Sequence, residues 1–189
     1  MLEKLGYELA PAFRNLGHGM VDLPSGKMKS REGTVVDADD LMDEVVQAAK
    51  ASSEEKGKLD DMSSQEQEEL FEMLGIGALK FYLLRVDPRK RMMFDPEESV
   101  SLNGDTGPFV QYTHARCKAV LRKADEFKAG NPGELLDKEH QLMRALMQFR
   151  SVVDGAAEGM DPSAIASYCI DLAKLYNQFY HDLPILKAE

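Results

Sequence analysis

Lys27, Lys29 and Arg31 fall within five residues, on a stretch bounded by Gly26 and Gly33 and carrying Ser25, Ser30 and Thr34. Cationic side chains this close together neutralise phosphate oxygens at short range, and flanking glycines let the backbone approach a ligand. A site that activates a substrate with a nucleotide needs such groups where charge moves onto departing pyrophosphate. The spacing is not that of a Walker loop. Gly19 to Gly26 is too long, and Lys27 is followed by Met28 rather than Ser or Thr. Composition alone favours a solvated basic turn, so this chemistry needs support from outside the loop.

Two further groups of cations have types suited to a polyanion: Arg85, Arg89, Lys90 and Arg91, then Arg116, Lys118, Arg122 and Lys123. Arg116 and Lys123 share a helix face, interrupted by Ala119 and Val120, while Lys118 and Arg122 share another. Tyr112, Tyr176 and Tyr180 have rings that can stack on bases. Tyr112 and Tyr176 also fit apolar stripes and are assigned to the core, which leaves Tyr180 as the stacking candidate. His114 and Cys117 have metal-ligand spacing without a second pair, so no metal site is assigned. His140 and His181 read as surface or packing residues, Cys169 as a small core residue, and the eleven methionines as dispersed core filling.

The elements that must hold these residues are mostly helical. Residues 1–15 read as a short helix or turn, 15–23 as a segment with a short strand, 24–33 as an exposed loop, and 34–36 as a second short strand. A helix is predicted from Asp37 to about Lys58, with Leu41, Val45 and Ala48 on one face and acidic residues at its start. Ser63 and Glu66 have capping-box spacing for a helix running to about Val86. Residues 87–106 read as a long connection. Three helices follow: from Gly107 to about Lys128 with Pro108 in its first turn, from after Pro132, and from Asp161-Pro162 to Pro184. The fold class is mainly α, a helical bundle preceded by a small α/β region.

The 189 residues allow one domain, or one plus part of another, and carry a net charge of −10. The acidity is concentrated: residues 37–75 alone sum to −10, residues 76–130 to +3. The total argues weakly against nucleic acid, but a docking surface responds to its local field. The acidic run reads as solvated helix face. No apolar run is long enough to span a membrane, no secretory signal opens the chain, and two cysteines fit a reducing compartment. A cytoplasmic protein is expected.

Four runs then resemble one family. Residues 19–36, from Gly19 through Lys27-Met28-Lys29-Ser30-Arg31 to Val36, closely resemble the Lys-Met-Ser-Lys-Ser loop region of bacterial-type arginyl-tRNA synthetases, members of class Ia. So do residues 75–84 and the run Asn103-Gly104-Asp105-Thr106-Gly107-Pro108-Phe109-Val110-Gln111-Tyr112-Thr113-His114-Ala115-Arg116. Leu175-Tyr176-Asn177-Gln178-Phe179-Tyr180-His181-Asp182 is similar to the family's anticodon-binding domain. The matches come in family order and span nearly the whole chain.

The resemblance implies an ATP-dependent arginine–tRNA ligase acting through arginyl-adenylate. Residues 1–60 would be the C-terminal part of its catalytic domain, and 61–189 most of its helical anticodon-binding domain. Lys27, Met28, Lys29 and Ser30 would occupy the loop that closes over ATP, with Lys27 as the first lysine of the signature. Lys27, Lys29, Ser30 and Arg31 are the candidate catalytic residues. His18, Gly19, Met20 and Val21, with Lys27 and Met28, are the candidate ATP contacts. The fourth and fifth signature positions hold Ser30 and Arg31, which leaves the division of labour between Lys29 and Arg31 open. Arg85, Arg89, Lys90, Arg91, Arg116, Lys123 and Tyr180 are the candidate RNA contacts.

ATP, with Mg2+ carried by the nucleotide, tRNA(Arg) and arginine are the implied ligands, and the full-length protein is expected to be a monomer. No His-x-Gly-His signature occurs. The nucleotide-binding half is therefore expected before Met1 and another helix or so after Glu189, making the chain a piece truncated at both ends and inactive alone. The competing readings are a stand-alone helical module binding tRNA or protein without catalysis, and a regulatory synthetase-like protein.

Overall fold

A computed structural model describes residues 2–9, 12–24, 37–56, 59–124, 133–183 and 185–186. The strand expected at 34–36 lies outside them. Several helix starts show the local chemistry that their sequence spells, although the helix expected from after Pro132 begins only at Asp137, behind Leu136. Helix α1 (Ala38–Lys56) begins where the Asp37 carboxylate accepts from the Asp39 amide at 3.1 Å. Helix α2 (Ser64–Leu84) begins with a reciprocal capping box: Ser63 Oγ accepts from the Glu66 amide and Glu66 Oε2 accepts from the Ser63 amide. Helix α4 (Gly107–Lys123) is capped by Thr106, with Pro108 in its first turn. Helix α5 (Asp137–Gly159) is followed by α6 (Ser163–Asp182), where the Asp161 carboxylate accepts from both the amide and the hydroxyl of Ser163.

The connection expected at 87–106 is in fact structured. It contains strand β2 (Met92–Met93) and the short helix α3 (Pro96–Ser99), capped by Asp95. Strand β2 pairs in parallel with β1 (Val21–Asp22), in the register Val21 to Met92 and Asp22 to Met93. Two residues of strand and four of helix are too short to generate a hydrophobic period, so the sequence pattern did not disclose them.

The main core forms where β1, α1, α2, β2 and α3 converge. Leu23, Val45, Ala49, Ala78, Leu79, Tyr82, Phe94 and Val100 are buried there. The Phe94 ring meets Tyr82 edge to face at a centroid distance of 5.1 Å. Helices α1 and α2 come together closely at Gly75, where an added Cβ would sit 2.8 Å from the Val46 Cα. Helix α2 packs on α1, α3 and α4, and α6 joins α4 to α5. The mainly α class with a small α/β front part stands.

The bundle side of the molecule is less covered than its stripes predict. Tyr112, expected in the core, is half exposed, and so are Leu121, Leu146 and Phe149. Helix α5 packs chiefly on α6, so its stripe is covered along one edge only. The acidic residues of α1 face solvent, as expected of a hydrated helix face. Among the described residues no helix is long and apolar enough to cross a membrane.

Candidate nucleic-acid interface

Of the expected catalytic and phosphate-contacting residues, Lys27, Met28, Lys29, Ser30 and Arg31 lie outside the described residues. The described residues on either side of them are held by backbone bonds and by the core. Before the loop, the Gly19 amide donates to the Pro88 carbonyl at 2.6 Å, Met92 donates to Met20 at 2.9 Å, and Phe94 donates to Asp22 at 2.7 Å. A Cβ on Gly19 would collide with the Lys90 carbonyl, so only glycine lets this strand lie against the 87–90 turn. The Asp22 carboxylate is paired with Arg91, and Leu23 is buried in the core. After the loop, the chain re-enters the core through Leu41 and Val45. The described residues on both sides, Leu23 before and Leu41 and Val45 after, thus pack into the same core.

The four candidate ATP contacts before the loop differ in setting. His18 is exposed, with Nδ1 2.6 Å from the Gly19 carbonyl oxygen, and Met20 is 62 % exposed. Gly19 and Val21 are half-buried against the β2 side. An imidazole and a thioether side chain at one strand edge can offer a face to a planar ring.

The RNA candidates fall into two groups. In the first, cations are already engaged by neighbours. Arg85 lies over the Tyr82 ring at 3.9 Å, donates to the Asp105 carbonyl at 2.7 Å and approaches Glu98 at 3.5 Å. Glu98 also accepts from the Tyr82 hydroxyl, and burial together with that carboxylate raises the phenol's pKa. Arg89 grips both oxygens of Asp87 at 2.9 Å, which holds that carboxyl down at about 2. Asp22 raises the pKa of Arg91 through their hydrogen bond. Lys90 is exposed in the same turn.

The second group lies where α4 meets α6. The Arg116 guanidinium sits 4.8 Å from the Tyr112 ring centroid and 4.9 Å from that of Tyr180. Arg116 Nη2 donates to the Tyr112 hydroxyl at 3.1 Å, and Nη1 donates to Asn177 Oδ1. Tyr112 is 49 % and Tyr180 41 % exposed. A guanidinium between two part-exposed tyrosines offers stacking surface together with positive charge, the combination that holds unpaired bases. Arg122 and Lys123 are exposed in the last turn of α4, and Lys118 is exposed one turn earlier.

Tyr112 and Asn177 therefore join the site although the residue types did not assign them to it. The available signals were the i, i+4 spacing of Tyr112 and Arg116 and the i, i+3 spacing of Asn177 and Tyr180. Tyr176 stays with the apolar residues: it lines a groove with Cys117, Leu142, Cys169 and Leu172, where burial pushes its phenol up to about 12. Burial also raises the Cys169 thiol. His140 is exposed, and exposed His181 contacts Asp182.

Comparison with known proteins adds two family matches in succession. Residues 1–95 match the catalytic domain of tRNA synthetases class I (R), and residues 110–189 match the DALR anticodon binding domain. The whole chain is 51 % identical, over 195 aligned positions, to the arginine–tRNA ligase of Bacteroides thetaiotaomicron, covering 33 % of that protein. It is 49 % identical to that of Flavobacterium psychrophilum, covering 32 % of it. The chain thus spans about a third of the length of these curated relatives. The fold is similar to Thermus thermophilus arginyl-tRNA synthetase, with TM-score 0.83 and 33 % identity over 92 % of this chain and 29 % of that one. Plasmodium falciparum arginyl-tRNA synthetase shares the fold, with TM-score 0.70 at 19 % identity over 91 % of this chain and 29 % of that one.

Proposed function

We propose a function from one premise: the chain belongs to the class I tRNA synthetases (R). It is part of an arginine–tRNA ligase that attaches arginine to tRNA(Arg) in the cytoplasm through an arginyl-adenylate. The observation that carries this reading is the order of the two family matches along one chain, a class I catalytic region followed by an anticodon-binding domain. The stand-alone binding module lacks a comparable observation in its favour.

Residues 1–60 supply the loop that closes on ATP, and residues 61–189 dock the tRNA. Helix α2 serves both parts, since it packs on α1 and on α4. ATP arrives with its own Mg2+. Lys27 and Lys29, with Arg31, offset the negative charge that moves onto pyrophosphate as the arginine carboxylate attacks the α-phosphorus, and Ser30 donates a hydrogen bond to the same phosphates. His18, Gly19, Met20 and Val21 border the adenine. Arg116, Tyr180 and Lys123 meet the tRNA arm, with Lys90 and the partly engaged Arg85, Arg89 and Arg91 as secondary backbone contacts.

Aligned charge stabilisation of this kind is worth about 3 kcal/mol per donor. The Lys27→Ala substitution in the full-length ligase is therefore expected to slow arginine-dependent ATP–pyrophosphate exchange by roughly a hundredfold. An unchanged exchange rate refutes the role of Lys27. The 189-residue chain has no His-x-Gly-His signature and is expected not to charge tRNA by itself.

A further inference from the structure

Arg116 is held in a way that a solvated surface arginine is not. Its guanidinium lies between two rings, and two of its nitrogens donate to side chains, Nη1 to Asn177 and Nη2 to Tyr112. Asn177 is itself fixed. Its Nδ2 donates to Thr113 Oγ1 at 2.8 Å, and the Thr113 hydroxyl donates onward to the Phe109 carbonyl at 2.9 Å. Thr113 is only 6 % exposed. Because that hydroxyl proton is committed to Phe109, Thr113 Oγ1 acts towards Asn177 as an acceptor. The amide nitrogen must then face Thr113 and the amide oxygen must face Arg116. The reverse flip would set an NH2 group against a guanidinium, two donors with no acceptor between them.

From this chain of bonds we infer that Asn177 is a positioning residue for the tRNA-docking face: it fixes Arg116 as a preset donor between Tyr112 and Tyr180. The inference rests on the tRNA-docking reading above. A guanidinium carries five N–H donors, so two commitments leave three for a nucleotide. Ordering a long, flexible side chain before the ligand arrives removes an entropy cost that binding would otherwise bear. Asn177 also bridges α6 to α4, through Thr113 and Arg116 together, so the platform keeps its two tyrosines in register although they belong to different helices. Asn177 is half-buried behind the arginine and acts through it.

The test uses the 189-residue chain, tRNA(Arg) as the probe and the variants Asn177→Leu, Arg116→Ala and their double. Asn177→Leu is expected to weaken tRNA binding about tenfold, the scale of a lost hydrogen bond to a charged group. In the Arg116→Ala background the same substitution is expected to add nothing, because a positioning residue has nothing left to position. An equal loss in both backgrounds, or no loss in either, overturns the inference. A second readout needs no RNA. The Arg116 Nη–H resonances are expected to be resolved and slowly exchanging in the parent chain and averaged by rotation in Asn177→Leu; unchanged resonances overturn the inference.

If the parent chain does not bind tRNA, the docking reading fails, and the Arg116 resonances alone decide the positioning. If Asn177→Leu does not fold, Thr113→Val carries the same cycle, since it removes the anchor while keeping the shape. It is expected to lower affinity less than Asn177→Leu, and again only when Arg116 is present.

Discussion

A charged side chain in this protein is described better by what already holds it than by its charge. Asp87 is the clearest case. Its carboxylate receives the Arg89 side chain through two nitrogens and the Arg89 amide at 2.9 Å, and the side-chain bond is the larger cause of a pKa lowered from 3.8 to about 2. A group whose pKa is depressed by folding contributes stability above its unfolded value and loses it as pH falls through the folded one. The contribution is therefore complete above pH 3.8 and is lost on the way down to about pH 2. The carboxyl carbon shift of Asp87, followed by NMR, is expected to titrate near 2, and Arg89→Ala to return the midpoint towards 3.8. A parent midpoint already at the ordinary value would mean that the pair is open in solution. Arg89, Arg91 and Arg85 each keep part of their donor set facing an acidic or carbonyl neighbour, so on the proposed function a tRNA would have to share them. Arg116 differs in that its partners are neutral, and its whole charge remains for the ligand.

Among the elements, α2 matters most, because it contributes to the main core through Ala78, Leu79 and Tyr82 and carries α4 on another side. Its start depends on the Ser63–Glu66 box, in which hydrogen bonding from Ser63 lowers the Glu66 pKa. Ser63→Ala is expected to cost about 1 kcal/mol, read as a lower urea midpoint with an unchanged slope. No change in midpoint would show that tertiary packing alone sets where α2 begins. That start was legible because capping is a local chemistry with a local spelling. The start of α4 was legible from Pro108 in its first turn, and that of α6 from Asp161-Pro162, although the N-cap position falls on Pro162 and the Asp161 carboxylate accepts from the Ser163 amide one residue in. Asp95-Pro96 carries the same spelling, yet α3 was missed because four residues provide no period to read. Tyr112 shows the opposite limit: its spacing fits an apolar stripe, but only packing decides how wide the covered stripe is, and Tyr112 lies at its open edge. In the site, the cations were legible by type. Their partners were not, since Arg91 meets Asp22 across 69 positions and Arg116 meets Asn177 across 61.

At the scale of the whole molecule the charge is sorted. Residues 37–75 carry all of the net −10, and the remainder sums to zero. That acidity lies on the exposed faces of α1 and the first turns of α2, whereas α4 presents Lys118, Arg122 and Lys123 beside Arg116. On the proposed docking function, a tRNA would be repelled by one region and attracted by the other, so the field would orient the encounter more than it strengthens the final complex. Neutralising the α1 face with Asp39→Asn, Asp43→Asn and Glu44→Gln is expected to raise the association rate several-fold at low salt, with little change in dissociation. Lys123→Glu is expected to lower the association rate. Both effects depend on charges acting across solvent, and the screening length falls from about 10 Å at 0.1 M salt to about 3 Å at 1 M. The rate differences are therefore expected to collapse at high salt, whereas the loss caused by Arg116→Ala, which removes contacts as well as charge, is expected to persist in dissociation. Stopped-flow mixing of the chain with tRNA(Arg) at the two salt concentrations separates these terms. Equal sensitivity of the α1 variants at both concentrations would mean that those carboxylates touch the RNA directly, and that the docking face extends beyond α4 and α6.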